Sequence, residues 1–210
     1  MASTIYVDKV DPASGTALEL GSSGDTLTVP SGATLAIASG GTLANSGTAT
    51  GVGGTNTPAF AAYLATDSDQ SISDSTTTKI EFEAERFDTA GAFDTSTHRF
   101  TVPAGQGGKY YIVVKAKCGS SQQNDIVGAF VHIYKNGSSY HSVGQTGAGF
   151  ISGTKYPILG IGVLCSTVLE LGVGDYVEGY GYIKTNGSGT PKFQEGNDQS
   201  TYMEGFKLVE

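Results

Sequence analysis

The chain has 210 residues, a formal net charge of −8, 31 glycines, no tryptophan and only 15% charged residues. That acidic balance disfavours a nucleic-acid-binding face, which needs clustered Lys and Arg to neutralise phosphates. No apolar run approaches the roughly 18–20 residues that span a bilayer, and residues 1–12 carry neither the basic segment nor the apolar core of a secretory signal.

The expectation is therefore a protein made in a cytoplasm that stays there or leaves as part of something larger. Gly, Ser and Thr are poor helix formers. Together with β-branched residues, aromatics and frequent turn residues they read as an all-β fold. Cys118 and Cys165 make no disulfide framework and read as buried free thiols.

In chain order, an internal repeat comes first. Residues 24–31, 32–39 and 40–47 align in blocks of eight. Thr26, Thr34 and Thr42 coincide, as do Leu27, Leu35 and Leu43, and Val29 and Ile37 share a column that Asn45 breaks. A looser copy carries Leu18 and Leu20. In each block the two apolar residues are two apart, so both face one side of a short strand, and Gly/Ser pairs supply the turns.

A flexible Gly/Ser/Thr linker is the competing reading, but strict recurrence of Leu is not a linker property. Eight extended residues reach roughly 26 Å, too little for one chain to coil around its own core. A repeat that cannot bury its apolar face alone must associate. The expected structure is a slender stalk of three chains whose core is Leu18, Leu20, Leu27, Val29, Leu35, Ile37 and Leu43.

A composition boundary follows near Gly53–Pro58, after which aromatics recur. Strands are expected at 58–64, 79–83, 99–102, 109–118, 129–134, 163–171, 176–183 and 201–208, with turns at 104–108, at Asn136-Gly137 and at Gly174-Asp175. Eight or more short strands in about 150 residues suggest a two-sheet jelly roll. The long connections, 119–128, 138–162 and 184–200, are read as loops.

Here the residues resemble a known family. Ala59-Phe60-Ala61-Ala62-Tyr63, the segment from Phe93 to Thr101, Gly108-Lys109-Tyr110-Tyr111, Ile133-Tyr134-Lys135-Asn136-Gly137, the stretch from Leu171 to Val177 and the closing Gly205-Phe206 are similar, in order, to the complement-component-one-q and tumour-necrosis-factor-like jelly rolls. That resemblance implies a ten-strand jelly roll that forms a homotrimer and buries aromatics between protomers. The stalk pattern resembles fibres of tailed phages, marine ones in particular. It implies residues 1–14 as a virion-docking segment, 15–57 as stalk and linker, and 58–210 as head.

Signals for chemistry are sparse. His98, His132 and His141 are not at metal-ligand spacing; Phe130 and His132 share a face opposite Val131 and Ile133. There is no nucleophile elbow and no phosphate-cradling loop. Glu81, Glu83 and Glu85 alternate as a solvated strand face rather than as a glycosidase pair. No catalytic or metal residue and no cofactor is expected, although Asp67, Asp69 and Asp74 are oxygen donors of the kind calcium takes.

Binding residues on a rigid sandwich usually sit on loops. Tyr140, His141, Tyr156, Phe193, Gln194 and Asn197 are candidates to stack on and hydrogen-bond a host-surface glycan, with packing between protomers as the alternative. The expected function is a trimeric phage fibre exposed on the virion. It would attach through its N-terminus to other virion proteins, be tail-associated and bind hosts. A capsid head fibre, a glycan depolymerase and a secreted bacterial module are the alternatives; nucleic acid and membrane insertion are not expected.

Overall fold

The computed structural model describes residues 10, 15–16, 18, 20, 23–44, 46, 56–65, 69–122, 125–146, 160–187, 189–195 and 199–208. The chain divides into two compact units, Met1–Thr50 and Gly51–Glu210.

In the first unit the eight-residue period is carried by the backbone. Gly24, Gly32 and Gly40 have φ of 93°, 84° and 85°. Ala33 N donates to Pro30 O at 3.0 Å, and Gly41 N to Ala38 O at 2.8 Å. An i to i+3 bond with positive φ at the third residue is a type II turn, which favours glycine there. The short strands expected between the turns are absent among the described residues of this unit. The physical reason is that a strand requires a hydrogen-bonded neighbour, and these segments do not pair with one another. Leu18, Leu20, Leu27, Val29, Leu35, Ile37 and Leu43 are 44–69% exposed, so one chain leaves its whole apolar stripe open.

The second unit holds thirteen strands among the described residues: β1 (Ala59–Leu64), β2 (Gln70–Ser71), β3 (Thr78–Lys79), β4 (Phe82–Asp88), β5 (Phe93–Asp94), β6 (Arg99–Thr101), β7 (Gly108–Ser120), β8 (Ile126–Lys135), β9 (Ser138–Thr146), β10 (Ile161–Leu171), β11 (Tyr176–Thr185), β12 (Pro191–Gln194) and β13 (Tyr202–Lys207). Ten of them are longer than two residues.

All pairing is antiparallel, in two sheets. In the first sheet β7 carries β10 along one edge and β13 then β12 along the other. β1 and β4 continue beyond β13, and β2 beyond β12. The second sheet runs β5-β6-β11-β8-β9, with β3 on β11.

Alternation sets the two faces of each strand. In β7, Tyr110, Ile112, Val114, Ala116 and Cys118 are fully buried while Tyr111, Lys115 and Lys117 point out. Between the sheets Phe60 stacks on Phe100 at 4.5 Å and on Phe93 at 5.4 Å. Tyr110 donates its hydroxyl to Gln106 O at 2.6 Å, and burial pushes its phenol up to about 12. The β8–β9 turn has positive φ at Asn136 (51°) and Gly137 (77°), the type I′ geometry that Asn-Gly favours.

Two expected loops are corrected. The 138–162 segment opens with β9, and 184–200 contains β12. Both strands are specified by pairing, β9 with β8 and β12 with β7, which their Ser/Gly-rich or Pro-led sequences do not signal. The 119–128 segment also shrinks, because β7 runs to Ser120 and β8 begins at Ile126.

Candidate functional site

Strand register assembles an aromatic patch on the outer face of the first sheet. Phe206 lies opposite Ala59 and Tyr111, and Tyr111 lies opposite Val168. In the next row Glu204 lies between Ala61 and Val113, with Phe87 beyond Ala61. In the third, Tyr202 lies between Tyr63 and Lys115, which faces Leu164.

Phe87 is 51% exposed, Val168 49%, Leu164 46% and Phe206 37%. Contiguous apolar surface of this kind marks an interaction site. Tyr111 and Phe206 meet at 5.7 Å between ring centroids.

Charge in this patch is unevenly placed. The Arg86 guanidinium lies 5.9 Å from the Tyr63 ring centre and 5.5 Å from that of Tyr202, and Lys115 Nζ lies 5.5 Å from the same Tyr202 ring. Burial raises the Tyr202 phenol, and the Glu204 charge adds to the rise. Glu204 itself is half-buried and makes no hydrogen bond or ion pair among the described residues. It lines an open depression of about 290 Å³ with Phe87, Tyr111, Val113 and Phe206.

The outer face of the second sheet is also aromatic, and the charges of Arg99, Lys79 and Glu178 there are engaged within the chain. Tyr134 and Tyr180 stack at 4.0 Å, and the Arg99 guanidinium lies 4.6 Å from the Tyr176 ring centre. Lys79 Nζ meets the buried Glu178 Oε1 at 2.6 Å. His132 sits between Phe130 and Tyr134, opposite Tyr180 and Ser142. Neither ring nitrogen has a hydrogen-bond partner among the described residues, and burial lowers its pKa.

The four expected binding residues that are described do not form one cluster: two lie on β9 of the second sheet and two on β12 of the first. Tyr140 and His141 are exposed on β9, with Tyr140 the extra residue of a bulge: Ile133 faces His141 and Tyr134 faces Ser139. Tyr156 and Asn197 lie outside the described residues. Phe193 is a correction: it is 0% exposed and belongs to the core, because β12 turns it between the sheets. Gln194 is half-buried, and its amide fills the space above Gly119, whose Cβ would lie 2.5 Å from Gln194 Cδ.

His98 Nδ1 lies 3.2 Å from Phe82 O, and Glu81, Glu83 and Glu85 are exposed. Asp69 uses its carboxylate on Lys192 and Glu195 N, and Asp74 on Thr185 and Ser75. Asp67 is outside the described residues. Among those described, no three carboxylate, imidazole or thiol side chains gather as candidate metal ligands.

No model of a known protein family matches the sequence, and no curated protein matches it. Among solved structures the chain is similar to the globular domain of zebrafish complement 1qA protein, with 18% identity over 73% of this chain and 98% of that one and a TM-score of 0.49. It is also similar to Eiger TNF from S. frugiperda, with 12% identity over 73% and 94% of the two chains and a TM-score of 0.50. The second likeness establishes the fold: the described residues from 59 to 207 form a jelly roll like that of the tumour-necrosis-factor structures, built from two antiparallel sheets.

Proposed function

We propose that this chain is a trimeric virion fibre of a tailed phage, without enzymatic activity, in which a three-chain stalk (15–57) presents jelly-roll heads (58–210) for attachment to a host-surface glycan. The observation that carries the reading is the stalk sequence in its folded form. Two type II turns, at residues 30–33 and 38–41, and a third positive-φ glycine, Gly24, recur every eight residues, and the Leu, Val and Ile between them stay open in a single chain. Three copies would enclose that stripe, and the patch of Phe87, Leu164, Val168 and Phe206 would be covered between heads.

Of the six candidate sugar-contact residues, Tyr140 and His141 are the ones that are described and exposed. Weak single sites suffice when several act together, because tethering raises their effective concentration. Residues 1–14 serve as the docking segment by similarity to phage fibres.

A capsid head fibre with a structural role is favoured by one observation: Phe193 and Gln194 are turned into the protein rather than toward a ligand. Immunogold labelling of particles separates tail from capsid. A Tyr140→Ala/His141→Ala variant that adsorbs to host cells as well as the parent refutes the glycan role for these two residues. Cleavage of host polysaccharide by purified protein refutes the non-enzymatic assignment.

A further inference from the structure

The depression on the first sheet pairs an aromatic wall with a carboxylate, Glu204, that has no hydrogen-bond or ion-pair partner among the described residues. Phe87, Tyr111 and Phe206 supply ring surface, Val113 supplies an apolar floor, and Glu204 supplies a negative charge at the centre of its row. Arg86 and Lys115 on the same face are both directed at the Tyr202 ring, and Arg86 also hydrogen-bonds Gln199.

A cation is attracted to ring faces as well as to carboxylates, and a long basic side chain covers apolar surface with its stem while its head keeps a polar partner. The site is therefore complementary to an amphipathic cation and to neither a neutral apolar residue nor an anion.

We infer that this depression receives a lysine or arginine side chain from a second copy of the chain, with Glu204 as its ion-pair partner and Phe87 and Phe206 as its flanks. The inference rests on the three-copy reading above and names what that reading leaves open. Covering this face with a purely apolar surface would strand a carboxylate without water or partner, which strongly disfavours association. A basic side chain in the depression removes that penalty and fixes the rotational setting of one head on the next.

The test is sedimentation equilibrium of the full chain, its Glu204→Gln variant and its Phe87→Leu variant, at about 50 mM and about 500 mM salt, where screening differs severalfold in length. The side chain of Glu204 is only half-buried and Gln is isosteric, so the fold is retained; circular dichroism verifies this. The expected result is a parent trimer that weakens with salt, at least about tenfold weaker association for Glu204→Gln, and loss of most of the salt response.

Phe87→Leu keeps apolar area but removes a ring, and severalfold weaker association is expected. A parent trimer whose affinity and salt response are matched by both variants overturns the inference and leaves the three-copy reading standing. A monomeric parent overturns both.

Discussion

The ring of Phe193 occupies the volume that a side chain at position 181 would need: a Cβ on Gly181 would lie 2.4 Å from both Cε1 and Cζ of that ring. β11 thus supplies a gap into which β12 inserts an aromatic residue from the other sheet. Phe193→Ala is expected to destabilise the head by about 3–5 kcal/mol, and Gly181→Ala by about 1–3 kcal/mol through overpacking. Chemical denaturation of both variants measures this. A Phe193→Ala head as stable as the parent would return the residue to the surface.

Lys79 and Glu178 are joined at 2.6 Å on the second sheet, with Glu178 only 5% exposed. Lys79 Nζ also donates to Thr97 O at 2.5 Å. Removing one partner of a buried pair leaves an uncompensated charge, so Lys79→Met is expected to cost about 3 kcal/mol or more. The double variant Lys79→Met/Glu178→Gln should recover much of that loss. Equal stability of the parent and Lys79→Met would mean that Glu178 is solvated in solution.

Asp175 is held down to about 2, first by the Asn136 side chain, then by Lys135 and the Gly172 backbone amide. Its contribution is fully present above the ordinary value of 3.8 and is lost as pH falls through the folded value. Thermal unfolding between about pH 4 and about pH 2 should therefore show a steeper loss for the parent than for Asp175→Asn. Identical acid-side slopes would remove the turn from the account.

His132 behaves oppositely in chemistry but with the same sign. Its folded pKa lies below the ordinary 6.5 because burial disfavours the charged ring. The unfolded chain therefore takes up the proton first, and stability present above about 6.5 declines as pH falls below it. His132→Phe, which keeps the ring between Phe130 and Tyr134, is expected to flatten the stability profile from about pH 6.5 downward. A parent and variant that lose stability in parallel over that range would contradict it.

The strands with strong alternation were legible in the sequence. β7 announces itself through Tyr110, Ile112 and Val114, the β8–β9 turn through Asn136-Gly137, and β10 and β11 through their apolar positions around Gly174-Asp175. β9 was not, because Ser138, Ser139, Ser142 and Gly144 carry little strand preference and only pairing with β8 specifies it.

Phe193 was misplaced for a related reason. An aromatic residue among polar neighbours reads as a loop contact until the glycine facing it across the sandwich is known. The aromatic patch was half-visible. Lys109-Tyr110-Tyr111-Ile112-Val113-Val114 is apolar on both faces, which signals a strand covered on both sides, but Phe87, Glu204 and Val168 come together only through register.

The central claim is that the apolar stripe of the repeat is closed by other copies of the chain. Light scattering of the purified full chain, beside a Leu27→Ser/Leu35→Ser variant, tests it most directly. The parent is expected to form a particle of three times the 21.6 kDa chain mass, and the variant a smaller or markedly less stable assembly. A parent that sediments and scatters as a single 21.6 kDa chain, with its first fifty residues protected from protease, would contradict it.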